Sequence, residues 1–467
     1  MKLKKVCLAV IAAVFVAGVA CSAIAEENNK IIYIDLNATG TNDGSSWANA
    51  FNNFYFAITA ARERDTVIVA PGRYIHDQNT NISFYGYTIT VRSVDPNNPD
   101  IVAATIIDCE NTYLSGFSFS NNADSTISGF TIINGYHGII CDQSSPKITN
   151  CIISGNNATI FNGGGIRCIN NSSPTIINCT IIGNSATKTE NLGGNGGGIA
   201  CEDNSNPQII NCVISKNTSH MGGGIFSNHS HPTIKNCTIS ENNGVSQGGG
   251  VFTGIDGVGE DTPIITNCII NKNHAGEGGG VYGRYGRGIT NCTVMNNAAN
   301  YGGGIFCRTM SNFVVSNCIL RKNSPNQIGA EESEWASGTP VICTNIEGGW
   351  AGTGNIDADP CFADVDTNDF HLKSQAGRWD PIRQNWAIDA VTSPCIDGGD
   401  MASAIGLEPF PNGGRINMGA YGGTAQASKS YFGSAICQTI VAGDINGDCK
   451  VNFIDFAILS SNWLWEE

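Results

Sequence analysis

The feature that most constrains this chain is a repeat. Cys151, Cys179, Cys212, Cys237, Cys268, Cys292 and Cys318 recur at intervals of 24 to 33 residues. Each is preceded by Asn and followed five residues later by another Asn, from Asn156 and Asn184 through to Asn323. Gly triplets lie between them, at 163–165, 196–198, 222–224, 248–250, 278–280 and 302–304. Matched units at such a period are stacked supersecondary elements, each of which buries its apolar face only against its neighbours.

The content of a unit decides the architecture. Pro174-Thr175-Ile176-Ile177-Asn178-Cys179-Thr180-Ile181-Ile182 is β-branched with period-two alternation. No unit carries a helical pattern, which excludes ankyrin, tetratricopeptide and HEAT arrays, and Leu is too scarce for leucine-rich repeats. A propeller blade would need four strands in about 40 residues. Two or three short strands per unit predict one turn of a parallel β-helix. Turns would stack about 4.8 Å apart and form ladders of identical residues. Ile, Val and Cys should point inward. Asn should occupy corners, where it tolerates left-handed backbone and can bond to the Asn of the next turn. Gly should permit the bends. Phe117 and Phe130 take the Cys place in earlier turns, so the helix is expected from about residue 80 to 100 until about 330.

Composition supports this reading. The 57 Gly come with only 15 Pro and no three-residue period, which excludes collagen. Charged residues at 14% are too few for a coiled coil, and a net charge of −15 argues against a nucleic-acid partner. The ladder cysteines sit beside Ile at one inward place, which predicts buried thiols rather than stacked disulfides. Cys361 with Cys395, and Cys437 with Cys449, lie outside the ladder and are the disulfide candidates. Zinc is not expected, because no C-x-x-C occurs. Four residues after successive ladder cysteines come Lys216, Glu241 and Lys272, a solvated ion-pair stack worth little.

Lys2, Lys4 and Lys5, an apolar run from Val6 to Ala20 and the small residues Ala23 and Ala25 have the order of a secretory signal cleaved after Ala25. A retained anchor and lipidation at Cys21 are the alternatives. No later segment is long and apolar enough to span a bilayer.

On its Asn-Cys and Gly-Gly-Gly ladders the chain resembles the right-handed parallel β-helix proteins, the pectate-lyase-like superfamily in the broad sense, and secreted bacterial repeat proteins in particular. That resemblance implies an all-β right-handed solenoid with capped ends. Residues 31–36, 50–63 and 66–70 read as the strand, helix and strand of an N-terminal cap. The expected organisation is a signal at 1–25, cap and first strands at 26–99, β-helix at 100–330, an irregular C-terminal cap at 331–430 and a loop–helix module at 431–467. Within 331–430, Asp357-Ala358-Asp359-Pro360-Cys361-Phe362, Ser393-Pro394-Cys395-Ile396-Asp397-Gly398-Gly399-Asp400 and Asn417-Met418-Gly419-Ala420-Tyr421-Gly422-Gly423 resemble the tail of surface-sorted bacterial β-helices, the choice-of-anchor region.

The last segment carries chemistry. Asp444, Asn446 and Asp448 occupy positions 1, 3 and 5 of a loop whose position 12 is Asp455, with the carbonyl of Lys450 at position 7. Hard oxygen donors at this spacing can surround Ca2+. The stretch resembles half of a type I dockerin, with Cys449 where that family has Gly and a single copy of the usual pair. This implies a protein partner for the module. A bare acidic turn capping a terminal helix is the plainer reading.

The resemblance implies action on extracellular polysaccharide, for which lyases need clustered Asp with an Arg or Lys base and hydrolases need paired carboxylates. Acids are sparse in the repeat. Glu202 and Asp203, with Arg167 one turn earlier near the same column, are the candidate catalytic patch, against surface charge as the bland reading. The expectation is therefore a secreted or cell-surface carbohydrate-binding or adhesive scaffold, with a polysaccharide lyase or glycoside hydrolase as the alternative.

Overall fold

The computed structural model describes residues 29–187, 194–254, 263–283, 288–308, 313–330 and 340–433, and, of the last segment, residues 443, 445 and 450–463. Three long parallel sheets wind around one core, with 12, 11 and 10 strands, and a 5-stranded sheet lies at one corner. A single turn shows the order: Ile166–Ile169 in the third sheet, Thr175–Ile177 in the first, Thr180–Ile182 in the second, Ser185–Ala186 at the corner, then Ile199–Cys201 in the third again. Register is kept turn on turn, Cys141 over Cys168 over Cys201 and Ile148 over Ile176 over Ile209. This is a right-handed parallel β-helix.

The sequence explains each corner. In Thr175–Ile177 and Thr180–Ile182 the middle Ile points inward and its neighbours outward. Between them Asn178 takes φ 54°, a left-handed conformation that lets two three-residue strands meet at an angle. Asn150, Asn211, Asn236, Asn267, Asn291 and Asn317 do the same, with φ between 51° and 54°. The cysteine that follows is buried, and its thiol donates to a carbonyl two residues back, as from Cys179 Sγ to Ile177 O at 3.3 Å. Burial pushes the Cys268 and Cys292 thiols well above their ordinary pKa.

The second Asn of each unit has a different fate. Asn156, Asn184, Asn217, Asn242, Asn273, Asn297 and Asn323 form a buried ladder inside the opposite corner. Asn242 is representative. Its Nδ2 donates to Ile214 O and to Asn273 Oδ1, each at 2.9 Å, and its Oδ1 accepts from the backbone and side-chain nitrogens of Asn217. Every polar atom of the column is thereby satisfied in the core, as burial demands. The ladder ends on Gln327, whose Oε1 accepts from Asn323 Nδ2 at 2.6 Å.

Stacking extends beyond the repeat at both ends. Ile31–Ile34, Thr66–Val69 and Thr90–Ser93 are successive strands of the first sheet, so the strand–helix–strand segment supplies its own rungs. These rungs lack the Asn-Cys signature because Phe54, Tyr74, Phe84, Phe117, Phe119 and Phe130 fill the core instead. Helix α1 (Phe54–Ala60) is shorter than the expected 50–63; it starts at Asn53, whose side chain accepts from Phe56 N. Val341–Ile342 and Asn345–Ile346 are the last rungs of the first and second sheets, and Trp350 packs against the core.

The rest of the C-terminal segment lies along the side of the solenoid. Phe362, Phe370, Leu372 and Met418 bury Ile269, Met295 and Ile319 on the outer face of the second sheet. Cys361 and Cys395, expected as a disulfide, are separate thiols. Cys395 is buried with its sulfur accepting from Asn345 Nδ2 at 3.0 Å, whereas Cys361 is half-exposed and turns its thiol to Asp359 O. Cys437 and Cys449 lie outside the described residues. Lys216 and Glu241 make the expected exposed ion pair at 3.8 Å. No helix among the described residues is long and apolar enough to cross a membrane.

Candidate ligand groove

The residue two places after each Gly triplet lies in the middle of a third-sheet strand and faces away from the main core. Successive rungs place Arg167, Ala200, Phe226, Phe252, Tyr282 and Phe306 in one outward column. The rings from Phe226 to Phe306 stack with centroids 5.0 to 5.5 Å apart and planes within 20°. They are buried as a cluster separate from the main core. The triplet makes this possible. Gly222 has φ 65°, and a Cβ there would stand 2.8 Å from Phe226 Cα and 2.4 Å from Ile225 O.

At Arg167 the column opens. A groove of about 300 Å³ lies there between Tyr113, Tyr136, Ile140, Ile160, Phe161 and Arg167. Tyr113 is 82% exposed and Phe161 52%. The Tyr136 hydroxyl accepts from Ile160 N at 2.7 Å and Phe161 N at 3.0 Å, which fixes the loop that carries Phe161. The Arg167 guanidinium lies 4.9 Å from the Phe161 ring centroid. Its Nε donates to Glu202 Oε2 at 3.3 Å, and Glu202 Oε1 accepts from Asn162 Nδ2 at 2.6 Å. His137 beside them has Nδ1 2.7 Å from Gly163 O, and burial pulls its pKa down to about 4, so the ring is neutral at ordinary pH.

The structure therefore brings Arg167 and Glu202 together and leaves Asp203 apart, exposed on a left-handed turn with φ 53°. The described residues that line the groove include no carboxylate; Glu202 reaches its edge through Arg167. Sequence reasoning missed Tyr113 and Phe161, which lie between strands, and Tyr136, which stacks on Ala158 and Ala186 at the corner. The regular position two after the triplet was the available signal for the column.

Two other hollows are polar. One of about 470 Å³ lies beside Asn53, His76 and Glu110, where His76 Nδ1 is 3.2 Å from Glu110 Oε2. The other, of about 610 Å³, lies between the last rungs and the tail beside Arg321, Lys322 and Lys373, where Arg321 pairs with Asp357 at 2.9 Å.

Of the calcium-loop candidates, Asp444, Asn446 and Asp448 lie outside the described residues. Lys450 is exposed, and Asp455 is 2% exposed. Asp455 Oδ1 accepts from Ile445 N and Oδ2 from Asn452 N, both at 2.7 Å. Asn452 in turn accepts from Ile454 N at 2.8 Å. This is a capping box at the start of helix α2 (Phe453–Trp463). Asp455 and Asn452 thus cap the helix, which leaves Phe453, Phe456 and Leu459 exposed.

A family model for the right handed beta helix region matches residues 43–194, 104–253 and 185–319, which overlap to span more than half of the 467-residue chain. The chain belongs to the right-handed β-helix family. No curated protein matches it. Among solved structures, this β-helix is similar to the pectate lyase Pel9A, with a TM-score of 0.56 and 17% identity over 84% of this chain and 96% of that one. It is also similar to a rhamnogalacturonan lyase, with a TM-score of 0.40 and 14% identity over 78% of this chain and 96% of that one. An alginate lyase from Paenibacillus sp. str. FPU-7 matches with a TM-score of 0.30 and 14% identity over 65% of this chain and 93% of that one.

Proposed function

We propose that this β-helix is an exported, non-catalytic protein that binds extracellular polysaccharide in the Arg167 groove. The observation that carries the reading is the pairing of exposed ring faces with one fixed cation. Tyr113 and Phe161 offer flat apolar faces to the C–H face of a sugar ring, and the guanidinium of Arg167 offers donors to hydroxyl or carboxylate oxygens. Glu202 spends both oxygens on Arg167 and Asn162, the arrangement of a group that positions the cation rather than one that moves a proton. The similarity in fold to a pectate lyase makes acidic polysaccharide the first class to try.

Affinity electrophoresis against a panel of neutral and acidic polysaccharides tests the reading. Retention by at least one of them should be weakened about tenfold by Phe161→Ala or Tyr113→Ala. Unsaturated or reducing-end products that vanish on changing Glu202 or Arg167 would instead establish the lyase or hydrolase alternative.

The terminal loop completes the proposal. Its donor set is all oxygen: Asp444, Asn446, Asp448, the Lys450 carbonyl and Asp455. Asp455 is held in place by Ile445 N and Asn452 N at position 12 of the loop. Bound Ca2+ would order the loop ahead of helix α2, whose exposed Phe453, Phe456 and Leu459 suit a protein partner. Export by a signal cleaved after Ala25 supplies the cell-surface location.

A further inference from the structure

The left-handed asparagines of the first corner form an outer column, and most of it is occupied by the chain itself. Asn150 Nδ2 donates to Asn97 Oδ1 at 3.1 Å. Asn267 Nδ2 donates to the main-chain oxygens of Ala420 at 3.1 Å and Gly422 at 2.7 Å. Asn317 Oδ1 accepts from Asp400 N at 2.7 Å, and Gly419 N donates to Asn317 O at 2.8 Å. Beside them Thr293 Oγ1 accepts from Ala420 N at 3.1 Å. The column thus reads polypeptide backbone, both carbonyls and amides. Contact is close enough that a Cβ on Gly422 would stand 2.7 Å from Asn291 Nδ2.

Three rungs carry the same device with no side-chain hydrogen bond to it among the described residues. Asn178, Asn211 and Asn236 are exposed and each has φ 54°. Val213 beside them is 41% exposed, in the outward column whose later members Ile269 and Ile319 lie under the tail. A hollow of about 280 Å³ leads from Tyr421 and Gln426 of the tail onto Asn236 and Asn211. The seat is therefore longer than its occupant.

We infer that Asn178, Asn211 and Asn236 form a docking track for an extended segment of a partner polypeptide. The track would bind main-chain carbonyls and amides by the side-chain amides and would favour Gly where the segment crosses the column. The occupant is argued from continuity: the tail already shows what the adjoining rungs of this column hold. The inference does not depend on the Arg167 groove.

Asn→Gly substitution is the discriminating change, because Gly keeps the left-handed corner and removes only the amide. The probe is a fluorescein-labelled synthetic peptide with the sequence of residues 417–426, titrated into the full chain and followed by anisotropy. Saturable binding is expected, weakened at least about tenfold in the N178G/N211G/N236G triple variant. A second peptide with Val at the positions of Gly419, Gly422 and Gly423 should bind more weakly. Circular dichroism of the triple variant should match that of the natural protein. Absence of saturable binding, or equal binding by the triple variant, overturns the inference. Loss of polysaccharide retention in the triple variant without loss of peptide binding would assign the column to glycan and overturns it too. Phe161→Ala should leave peptide binding unchanged, so failure of the groove reading is separable from failure of this one.

Discussion

Replacing Glu408 with Gln should remove a pH dependence that the natural tail carries. Glu408 is 8% exposed, and its Oε1 accepts from Asn417 N and Gly423 N, each at 2.8 Å. It thus clasps both ends of the loop that crosses the asparagine column. Its Oε2 is buried without a hydrogen-bond partner among the described residues. Burial outweighs the two hydrogen bonds, and the neighbouring Asp397 charge adds to it, so the carboxyl is pushed from 4.5 up to about 7. A carboxyl raised on folding stabilises fully below its unfolded value and loses that contribution as pH rises through the folded one. Between pH 5 and pH 8 the loss is about 2.5 kcal/mol, or roughly 70-fold in the ratio of closed to open tail.

The assay must be local. Asp397 is also raised by burial and acts in the same direction, though it remains in the variant. His137 is lowered by burial and weakens the fold as pH falls from about 6.5 toward 4, the opposite sign. A solenoid need not melt as one unit, so a global transition would mix these effects. Hydrogen exchange at Asn417 and Gly423, corrected for intrinsic rate, isolates the clasp. Protection in the natural protein should fall from pH 5 to pH 8 relative to E408Q. A ratio between the two proteins that stays flat within about threefold would refute the reasoning, because it would mean that Oε2 is solvated and Glu408 ionised throughout.

Asn242→Ala should destabilise the middle rungs by about 3 kcal/mol or more, because it orphans buried partners on the turns either side of it; thermal melting and exchange near Ile214 and Asn273 check this. The ladder thiols, all buried in the core, should resist a soluble thiol reagent in the native protein and react together once the chain unfolds in denaturant. Gly222→Ala should cost several kcal/mol and lower the melting temperature, since the added Cβ meets backbone atoms at 2.4 and 2.8 Å in a left-handed conformation. Calorimetry should record calcium binding by the full chain that Asp455→Ala abolishes; no heat at millimolar Ca2+ would remove the cation from the proposal.

The repeat was legible because each of its positions does one physical job on every turn. Cys151 through Cys318 fill one inward place, and their Asn neighbours turn one corner. What sequence could not separate was the two asparagine columns, since Asn suits both a left-handed corner and a hydrogen-bonded ladder. Burial decides between them: Asn184 is buried and bonded on all sides, while Asn178, six residues earlier, faces solvent. The groove was illegible for a related reason. Aligning units keeps what is equal between turns, and Tyr113 and Phe161 belong to segments between strands that differ from turn to turn. Stacking constrains the equal positions, where Gly222 must stay Gly and Asn242 must stay Asn for the core to close. Unequal positions are released from that constraint and are free to serve a ligand. The outward column shows the boundary: from Ala200 to Phe306 it is buried and serves packing, and at Arg167, where a cation takes the same strand position, it meets solvent.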